Sequence, residues 1–267
     1  MLLPIRTVEK VWGRDALPAP FVAPQGKRIG EIWFEPPERM SDLLVKYLFT
    51  SDKLSIQCHP NSQQAQAAGH GSGGKDECWI VVAADPGATL GIGFDRALDA
   101  DALRAAAHDG SIEDLMTWFE VQAGDVFYIP ANTVHAIGPG CSIIEIQQNS
   151  DITYRLYDYG RPRELHLDAG MEVADGSPYD RDLMQRLPGH GSASLVDGPF
   201  FRIDWVDGVP AEDLLYSYAA PLLVLPLAGE VLADGEVVKP GECALAPDLA
   251  SVTFAPQGKA LVTAPVD

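Results

Sequence analysis

The chain has 267 residues, of which 46% are hydrophobic and 21% charged, enough apolar material for one large domain or two smaller ones. Its formal net charge of −19 argues against nucleic acid and anionic membrane surfaces as partners, although a local basic pocket could still bind a small anion. We recognise no signal peptide and no apolar run of about 18 residues. Four cysteines without paired short spacing favour buried free thiols, so we expect a soluble cytoplasmic protein.

Short β-type runs dominate the first part of the chain, as in a β-sandwich or barrel. The predicted strands are residues 42–49, 54–58, 78–83, 126–129, 142–147 and 153–156. Residues 61–74 are polar, small and glycine-rich, which favours a loop that is a disordered connection over a mobile loop beside the site. Asp99 can cap a helix that runs to about Ala107, and a second helix is predicted from Ser111 to Phe119 because Asp114 follows the capping serine by three residues.

A break rich in proline, glycine and serine at residues 187–199 precedes a second group of β runs. Its predicted strands are residues 200–206, 214–218, 221–228, 230–237 and 243–247, with a hairpin turn at 233–235. Residues 240–247 resemble residues 123–130, a weak internal repeat that suggests two barrels of one type. We therefore predict a functional domain at 1–192, with a helical insertion near 97–119, and a small structural β-barrel at 193–267.

One set of polar residues has the pattern of a metal site. Gln57 and His59 lie two residues apart in a strand-like run, so both can point to one ion while Cys58 points away. Glu77 and His135 follow downstream. Two imidazoles, one carboxylate and one amide oxygen suit a borderline divalent ion such as zinc. The spacing predicts a metal held inside a β-barrel.

Several blocks of the sequence resemble one family. Residues 124–130 followed by His135 are similar to the second motif of the cupin superfamily, and the whole chain more closely resembles type I mannose-6-phosphate isomerases of the short bacterial form. The blocks that carry this resemblance are residues 12–13, 30–33, 54–60, 74–79, 129–138 and, most specifically, 145–161. The sequence departs from the family pattern at Asn132, Tyr159 and Cys58. The resemblance implies a mainly β cupin fold, a jelly-roll β-barrel, with a second, smaller cupin-like barrel at the C-terminus.

The same resemblance implies that mannose 6-phosphate and fructose 6-phosphate interconvert through an enediol, with one zinc ion per chain held by Gln57, His59, Glu77 and His135. Zinc could act as a Lewis acid toward the enediolate or mainly organise the pocket. Proton transfer needs a base within reach. Lys46 shares a strand face with Leu44 and Leu48 and is the favoured candidate, with Glu145 as the other.

Further residues are expected to contact the substrate. Lys75 is a candidate catalytic cation, and the resemblance places Arg155 in the active site. Arg155 and Arg161 flank a short polar segment, and the guanidinium fork suits phosphate oxygens. Ser55, on the face of Gln57 and His59, could donate its hydroxyl, and Trp12 would line the pocket. The other histidines are expected in loops or on helix surfaces: His70, His108, His166 and His190.

Two other functions are compatible with a cupin. A cupin metal dioxygenase favours three histidines and a glutamate around iron or manganese, so a glutamine ligand and the residue block 154–158 count against it. A non-catalytic sugar-phosphate-binding cupin would hold metal without turnover, and Lys46, Glu145 and Arg155 argue for catalysis instead. Activity on glucose 6-phosphate or free aldoses stays open. The expected partner is a small sugar phosphate, with no nucleic acid or membrane, in a monomer or homodimer.

Overall fold

The computed structural model describes residues 1–71 and 73–266, and strands dominate it, as predicted. The helices of these residues are α1 (Ser62–Ala67), α2 (Ala100–Asp109), α3 (Ile112–Leu115), α4 (Leu167–Met171) and α5 (Glu212–Ser217). Three further segments form 3₁₀ turns: Glu38–Met40, Arg181–Leu183 and Leu249–Ser251. In the described residues we find no helix with the length and apolar character needed to span a bilayer. All four cysteines in this part of the chain are buried and unpaired.

Two antiparallel sheets build the N-terminal unit. The larger one contains, in sheet order, β1 (Ile5–Arg14), β2 (Ile29–Phe34), β3 (Leu43–Phe49), β10 (Cys141–Gln148), β5 (Glu77–Ala84), β8 (Asp125–Ile129) and β12 (Met184–Arg186). The second contains β11 (Tyr154–Tyr157), β4 (Ile56–Cys58), β9 (His135–Ile137), β6 (Thr89–Phe94) and β7 (Met116–Glu120). Strand numbers follow chain order.

Both faces of the larger sheet are covered, which explains why its central strands are apolar along almost their whole length. On β10, Ile144 and Ile146 belong to the core shared with the C-terminal unit, whereas Ile143 belongs to the core between the two N-terminal sheets. Because side chains alternate along a strand, Glu145 and Gln147 lie on the face of Ile143. Two buried polar residues are thereby placed between the N-terminal sheets.

The C-terminal unit is a second pair of sheets. One has the order β13 (Ala193–Asp197), β14 (Phe201–Asp207), β20 (Lys259–Pro265), β15 (Leu222–Ala228) and β18 (Ala244–Ala246). The other has β17 (Glu236–Val238), β16 (Val231–Ala233) and β19 (Val252–Phe254). Ile203 and Leu225 pack into the same core as Ile144 and Ile146 of β10, so the units share one apolar interface. The boundary near residue 192 stays a prediction.

Two helix and turn predictions are confirmed. α2 begins where predicted, and the Asp99 carboxylate accepts a hydrogen bond from the backbone N–H of Ala102 at 2.8 Å. In the hairpin that joins β16 and β17, Asp234 and Gly235 have φ angles of 49° and 81°. These left-handed values suit a tight turn of the kind that favours glycine.

Three local predictions are wrong. The helix predicted from Ser111 to Phe119 is only the four-residue α3, because Ser111 bonds to Asp109 instead of capping, and the residues that follow pair with β6 as β7. In the predicted strand 214–218, residues 214–217 belong to α5 and Tyr218 follows the helix as its C-cap. The loop predicted at 61–74 contains α1, which Asn61 caps reciprocally with Gln64. Within that segment Ser72 lies outside the described residues.

Candidate active site

A cavity of about 340 Å³ lies between the two sheets of the N-terminal unit. Residues from β1, β2, β3, β5 and β10 line one side, and residues from β4 and β11 line the other. Three tryptophans, Trp12, Trp33 and Trp79, form apolar parts of its wall. The cavity therefore offers flat, apolar surfaces among buried charges, a common design for small-molecule sites.

The register of the larger sheet brings a lysine and a glutamate together. Glu145 on β10 is paired across the strands with Lys46 on β3 and with Trp79 on β5. The Lys46 Nζ atom lies 2.7 Å from Glu145 Oε1, and the Trp79 indole N–H donates to Glu145 Oε2 at 3.0 Å. Lys46 also lies over the ring of Trp33, 5.4 Å from its centroid. Lys46 and Glu145 thus form a fixed, buried ion pair.

The proposed metal ligands come from both sheets. Gln57 on β4 pairs with His135 on β9, and Glu77 begins β5 in the facing sheet. The Nε2 atom of His59 lies 3.7 Å from Glu77 Oε2, and that of His135 lies 3.3 Å from Glu77 Oε1. Potential ligand atoms of His59, Glu77 and His135 all lie within 4.8 Å of one another. The fold brings together three buried residues with donor atoms suited to one ion.

Backbone carbonyls orient both imidazoles. His59 Nδ1 lies 2.8 Å from the Ile152 carbonyl oxygen, and His135 Nδ1 lies 2.9 Å from that of Thr133. Since a carbonyl oxygen only accepts, each Nδ1 carries the proton and each Nε2 keeps a lone pair for a ligand. Burial, together with the Lys75 ammonium, lowers the pKa of His59 well below its usual range and that of His135 to about 4. Both rings are therefore neutral, the form that binds metal.

Further contacts fit a cation at this point. Glu77 Oε1 is buried and has no hydrogen-bond partner among the described residues. The Lys75 ammonium lies 3.0 Å from His59 Nε2 and bonds to the Glu77 carboxylate, so a positive group already occupies the convergence of donors. The Gln57 amide nitrogen lies 3.4 Å from His135 Nε2, and a half-turn of that amide presents its oxygen instead. This donor set suits zinc.

Lys46 and Glu145 are both ionised. Burial opposes charge on each group, but the Glu145 and Glu31 carboxylates raise the pKa of Lys46 above its ordinary value. Burial likewise opposes ionisation of Glu145, but the Lys46 and Lys75 ammonium groups outweigh it and lower the pKa of that carboxyl. In this state Lys46 is a proton donor and an electrostatic partner, and Glu145 is the group able to accept a proton.

The cavity also receives most of the predicted substrate-binding residues. Trp12, Ser55 and Arg155 line it, but Arg161 is not among the described residues that do; Arg163 is. The sequence analysis missed Arg163 and the pair Glu31 and Trp33. Strand alternation on β2 gave a usable signal for that pair, because residues two apart share a face. The Trp33 indole N–H donates to Glu31 at 2.8 Å, within the cavity wall.

Sequence comparison finds relatives that share one activity in their names. No family model matches the chain. The mannose-6-phosphate isomerase of Streptococcus mutans is 39% identical over 198 residues, which is 70% of this chain and 61% of that protein. Mannose-6-phosphate isomerase ManA of Bacillus subtilis is 41% identical over 139 residues, 50% of this chain and 44% of that protein.

Over much of its length the chain is therefore similar in sequence to mannose-6-phosphate isomerases. Its match spans about three fifths of the length of the Streptococcus mutans relative, 61%. The crystal structure of the Bacillus subtilis mannose 6-phosphate isomerase matches with a TM-score of 0.76 and 23% identity, covering 98% of each chain. A zinc-bound mannose 6-phosphate isomerase matches with a TM-score of 0.72 and 14% identity, covering 99% of this chain and 98% of that one. At these identities the structural matches establish the cupin fold.

Proposed function

We propose that this protein, like the relatives that it resembles in sequence, interconverts mannose 6-phosphate and fructose 6-phosphate, with zinc as its metal. One observation carries the proposal: the His59, Glu77 and His135 cluster and the Lys46–Glu145 ion pair lie around one cavity. An aldose–ketose isomerase needs both a centre of positive charge and a group that moves a proton. The similarity to proteins named mannose-6-phosphate isomerase supports the choice of substrate.

Gln57, His59, Glu77 and His135 would hold the zinc ion. When bound, it would supply positive charge that stabilises negative charge developing on a substrate oxygen. Lys75 supports the same task from the protein side, because its ammonium is buried beside Glu77 and 3.6 Å from Glu145. A fixed cation in a site that excludes water interacts more strongly with such an oxygen than the same cation would in bulk water.

The Lys46–Glu145 pair would handle the proton. The isomerisation removes a proton from carbon 2 of the open-chain sugar and adds one at carbon 1. With 2.7 Å between Lys46 Nζ and Glu145 Oε1, a proton can pass directly between the two atoms. Glu145 would take the carbon-2 proton while Lys46 stabilises the resulting charge. Ser55, whose hydroxyl bonds to Gln57 at 3.0 Å, would orient a sugar hydroxyl beside the metal ligands.

A coupled assay of purified, zinc-loaded protein on several sugars tests this function. The expected result is turnover of mannose 6-phosphate to fructose 6-phosphate, with slower or no turnover of glucose 6-phosphate and free mannose. A metal-loaded protein that binds mannose 6-phosphate without converting it would refute the isomerase and favour a binding function. Activity only on unphosphorylated aldoses would correct the substrate class.

The metal assignment has its own test. His135→Ala removes one ligand, so zinc content and activity should fall together, because ligand loss lowers affinity directly. His108→Ala is the matched control, since His108 lies in the last turn of α2, outside the cavity. Elemental analysis would show fully loaded control protein. A His135→Ala protein that keeps one zinc per chain would exclude His135 as a ligand.

A further inference from the structure

Positive charge around the cavity is compensated unevenly. On the side of the larger sheet, each ammonium has its own carboxylate: Lys10 with Glu31, Lys46 with Glu145 and Lys75 with Glu77. On the opposite side, β11 and the loop after it carry three guanidinium groups, and the buried carboxylate of Asp158 pairs with two of them, those of Arg161 and Arg163. The surplus of positive charge in this acidic protein therefore lies at the β11 end of the cavity.

The hydrogen-bond donors of Arg161 are directed at groups of the protein itself. Its Nε atom donates to Asp158 Oδ1 at 3.1 Å, and its Nη2 atom donates to the Lys53 carbonyl oxygen at 2.8 Å. The remaining Nη1 atom is buried, lies 3.6 Å from the Asp52 carboxylate and makes no hydrogen bond within the described chain. A buried nitrogen cannot reach a ligand in the cavity. Arg161 thus closes the loop onto Lys53 and offers no donor to substrate.

Arg163 uses only part of its hydrogen-bond donors in contacts with Asp158. Its Nε and Nη2 atoms donate to the two oxygens of Asp158 at 2.6 Å and 2.5 Å, a side-on bidentate pair. A guanidinium has five N–H groups, so Nη1 and one N–H of Nη2 stay available. Arg163 lines the cavity and its side chain is 28% exposed. Its free edge can therefore meet a ligand while Asp158, only 2% exposed, holds the other edge.

Arg155 has no carboxylate partner in residues 1–71 and 73–266; its Nη1 atom bonds only to the Glu164 carbonyl oxygen, at 2.6 Å. The loop returns to Arg155 through two hydrogen bonds with His166: the His166 N–H donates to the Arg155 carbonyl at 2.8 Å, and the Arg155 N–H to His166 Nδ1 at 3.1 Å. Arg163 lies within this closed loop and lines the same cavity as Arg155. Two guanidinium groups with free donors then face one cavity.

We propose that Arg163, together with Arg155, binds the phosphate of the sugar phosphate, and that Asp158 is the positioning residue that fixes the Arg163 guanidinium. The two groups supply the charge and the planar donor edges that a phosphate dianion requires. Arg161, six residues after Arg155, is a structural residue of the loop. This inference rests on the proposed isomerase function, whose substrate carries that phosphate.

Steady-state kinetics of Arg163→Gln on mannose 6-phosphate tests the assignment. Loss of a charge-assisted contact should raise KM about tenfold to a hundredfold and leave kcat within about threefold. Inorganic phosphate should weaken as a competitive inhibitor in parallel. Arg163→Lys should recover part of the loss, because charge is kept and bidentate geometry is not. Arg104→Gln, an exposed arginine on α2, controls for the change in net charge.

Two more variants separate positioning from folding. Arg161→Gln should lower the melting temperature but change KM less than Arg163→Gln does. Asp158→Asn should raise KM, and combining it with Arg163→Gln should add little, because both changes remove one interaction. A KM unchanged in Arg163→Gln, or raised more in Arg161→Gln, overturns the inference. If the parent protein turns over no sugar phosphate, the proposed function fails, while calorimetry with inorganic phosphate still compares Arg163→Gln with the parent.

Discussion

Replacing Lys46 with methionine tests whether the Lys46–Glu145 pair takes part in proton transfer. The change keeps side-chain length and removes the ammonium that lies 2.7 Å from Glu145 Oε1. If the pair handles the proton, turnover should fall about 10²–10⁴-fold, the usual contribution of general acid–base catalysis. Exchange of the substrate carbon-2 proton with solvent deuterium should fall in step. Lys27→Met, an exposed lysine paired with Glu9, is the matched control.

The same substitution should also affect stability. Both side chains are nearly inaccessible, at 9% and 4% exposure, so removing Lys46 leaves Glu145 charged and buried. Breaking a buried ion pair from one side typically costs about 3–5 kcal/mol, a large part of an ordinary stability of about 5–15 kcal/mol. Lys46→Met is therefore best compared with the double variant Lys46→Met/Glu145→Gln, whose two neutral groups should recover most of the stability loss in denaturant unfolding.

Stability and turnover should therefore respond differently to the double substitution. Stability should return toward that of the parent protein, whereas turnover should stay low, because neither group can then move a proton. A Lys46→Met protein that turns over within a few-fold of the parent would refute a role for Lys46 in proton transfer. In that case Glu145 alone becomes the leading candidate.

Three further predictions concern the scaffold. Asp99→Ala should cost about 0.5–2 kcal/mol in denaturant unfolding, because the helix cap to Ala102 is lost. Gly138→Ala should cost about 1–3 kcal/mol, since an added Cβ would meet the Thr89 carbonyl oxygen at 2.6 Å. Burial raises the pKa of Asp204 above the usual range of a carboxyl, so the stability that its protonated form contributes is lost as the pH rises through the raised pKa. The stability of Asp204→Asn relative to the parent should therefore increase as the pH is raised above the usual aspartate pKa. A difference that does not change with pH would contradict this.

Part of the predicted metal site could be derived from sequence, because side chains alternate along a strand. Gln57 and His59 lie two residues apart at the end of β4, so alternation predicts that they share a face, and the sequence around each predicted ligand is distinctive. The Lys46–Glu145 contact was beyond such reasoning. It depends on the register between β3 and β10, which joins residues about a hundred positions apart and follows from the packing of the whole sheet.

Local patterns failed where tertiary contacts outweighed propensity. Residues 116–120 follow the Ser111 and Asp114 pattern that predicted a helix. They nevertheless pair with β6, because that strand provides backbone hydrogen-bond partners and an apolar core. Among the arginines, sequence spacing favoured Arg161 over Arg163. The two arginines differ in which of their N–H groups are bonded to Asp158 and to the Lys53 carbonyl oxygen, and the spacing of residues in a sequence cannot show that difference.

The fate of the hydrogen at carbon 2 of mannose 6-phosphate decides whether this protein is an isomerase. Deuterium at carbon 2 of mannose 6-phosphate can be followed by nuclear magnetic resonance during incubation with zinc-loaded protein. We expect loss of that label, or its transfer to carbon 1, together with formation of fructose 6-phosphate, and neither process with His135→Ala. Retention of the label with no fructose 6-phosphate, in protein shown to contain zinc, would contradict it.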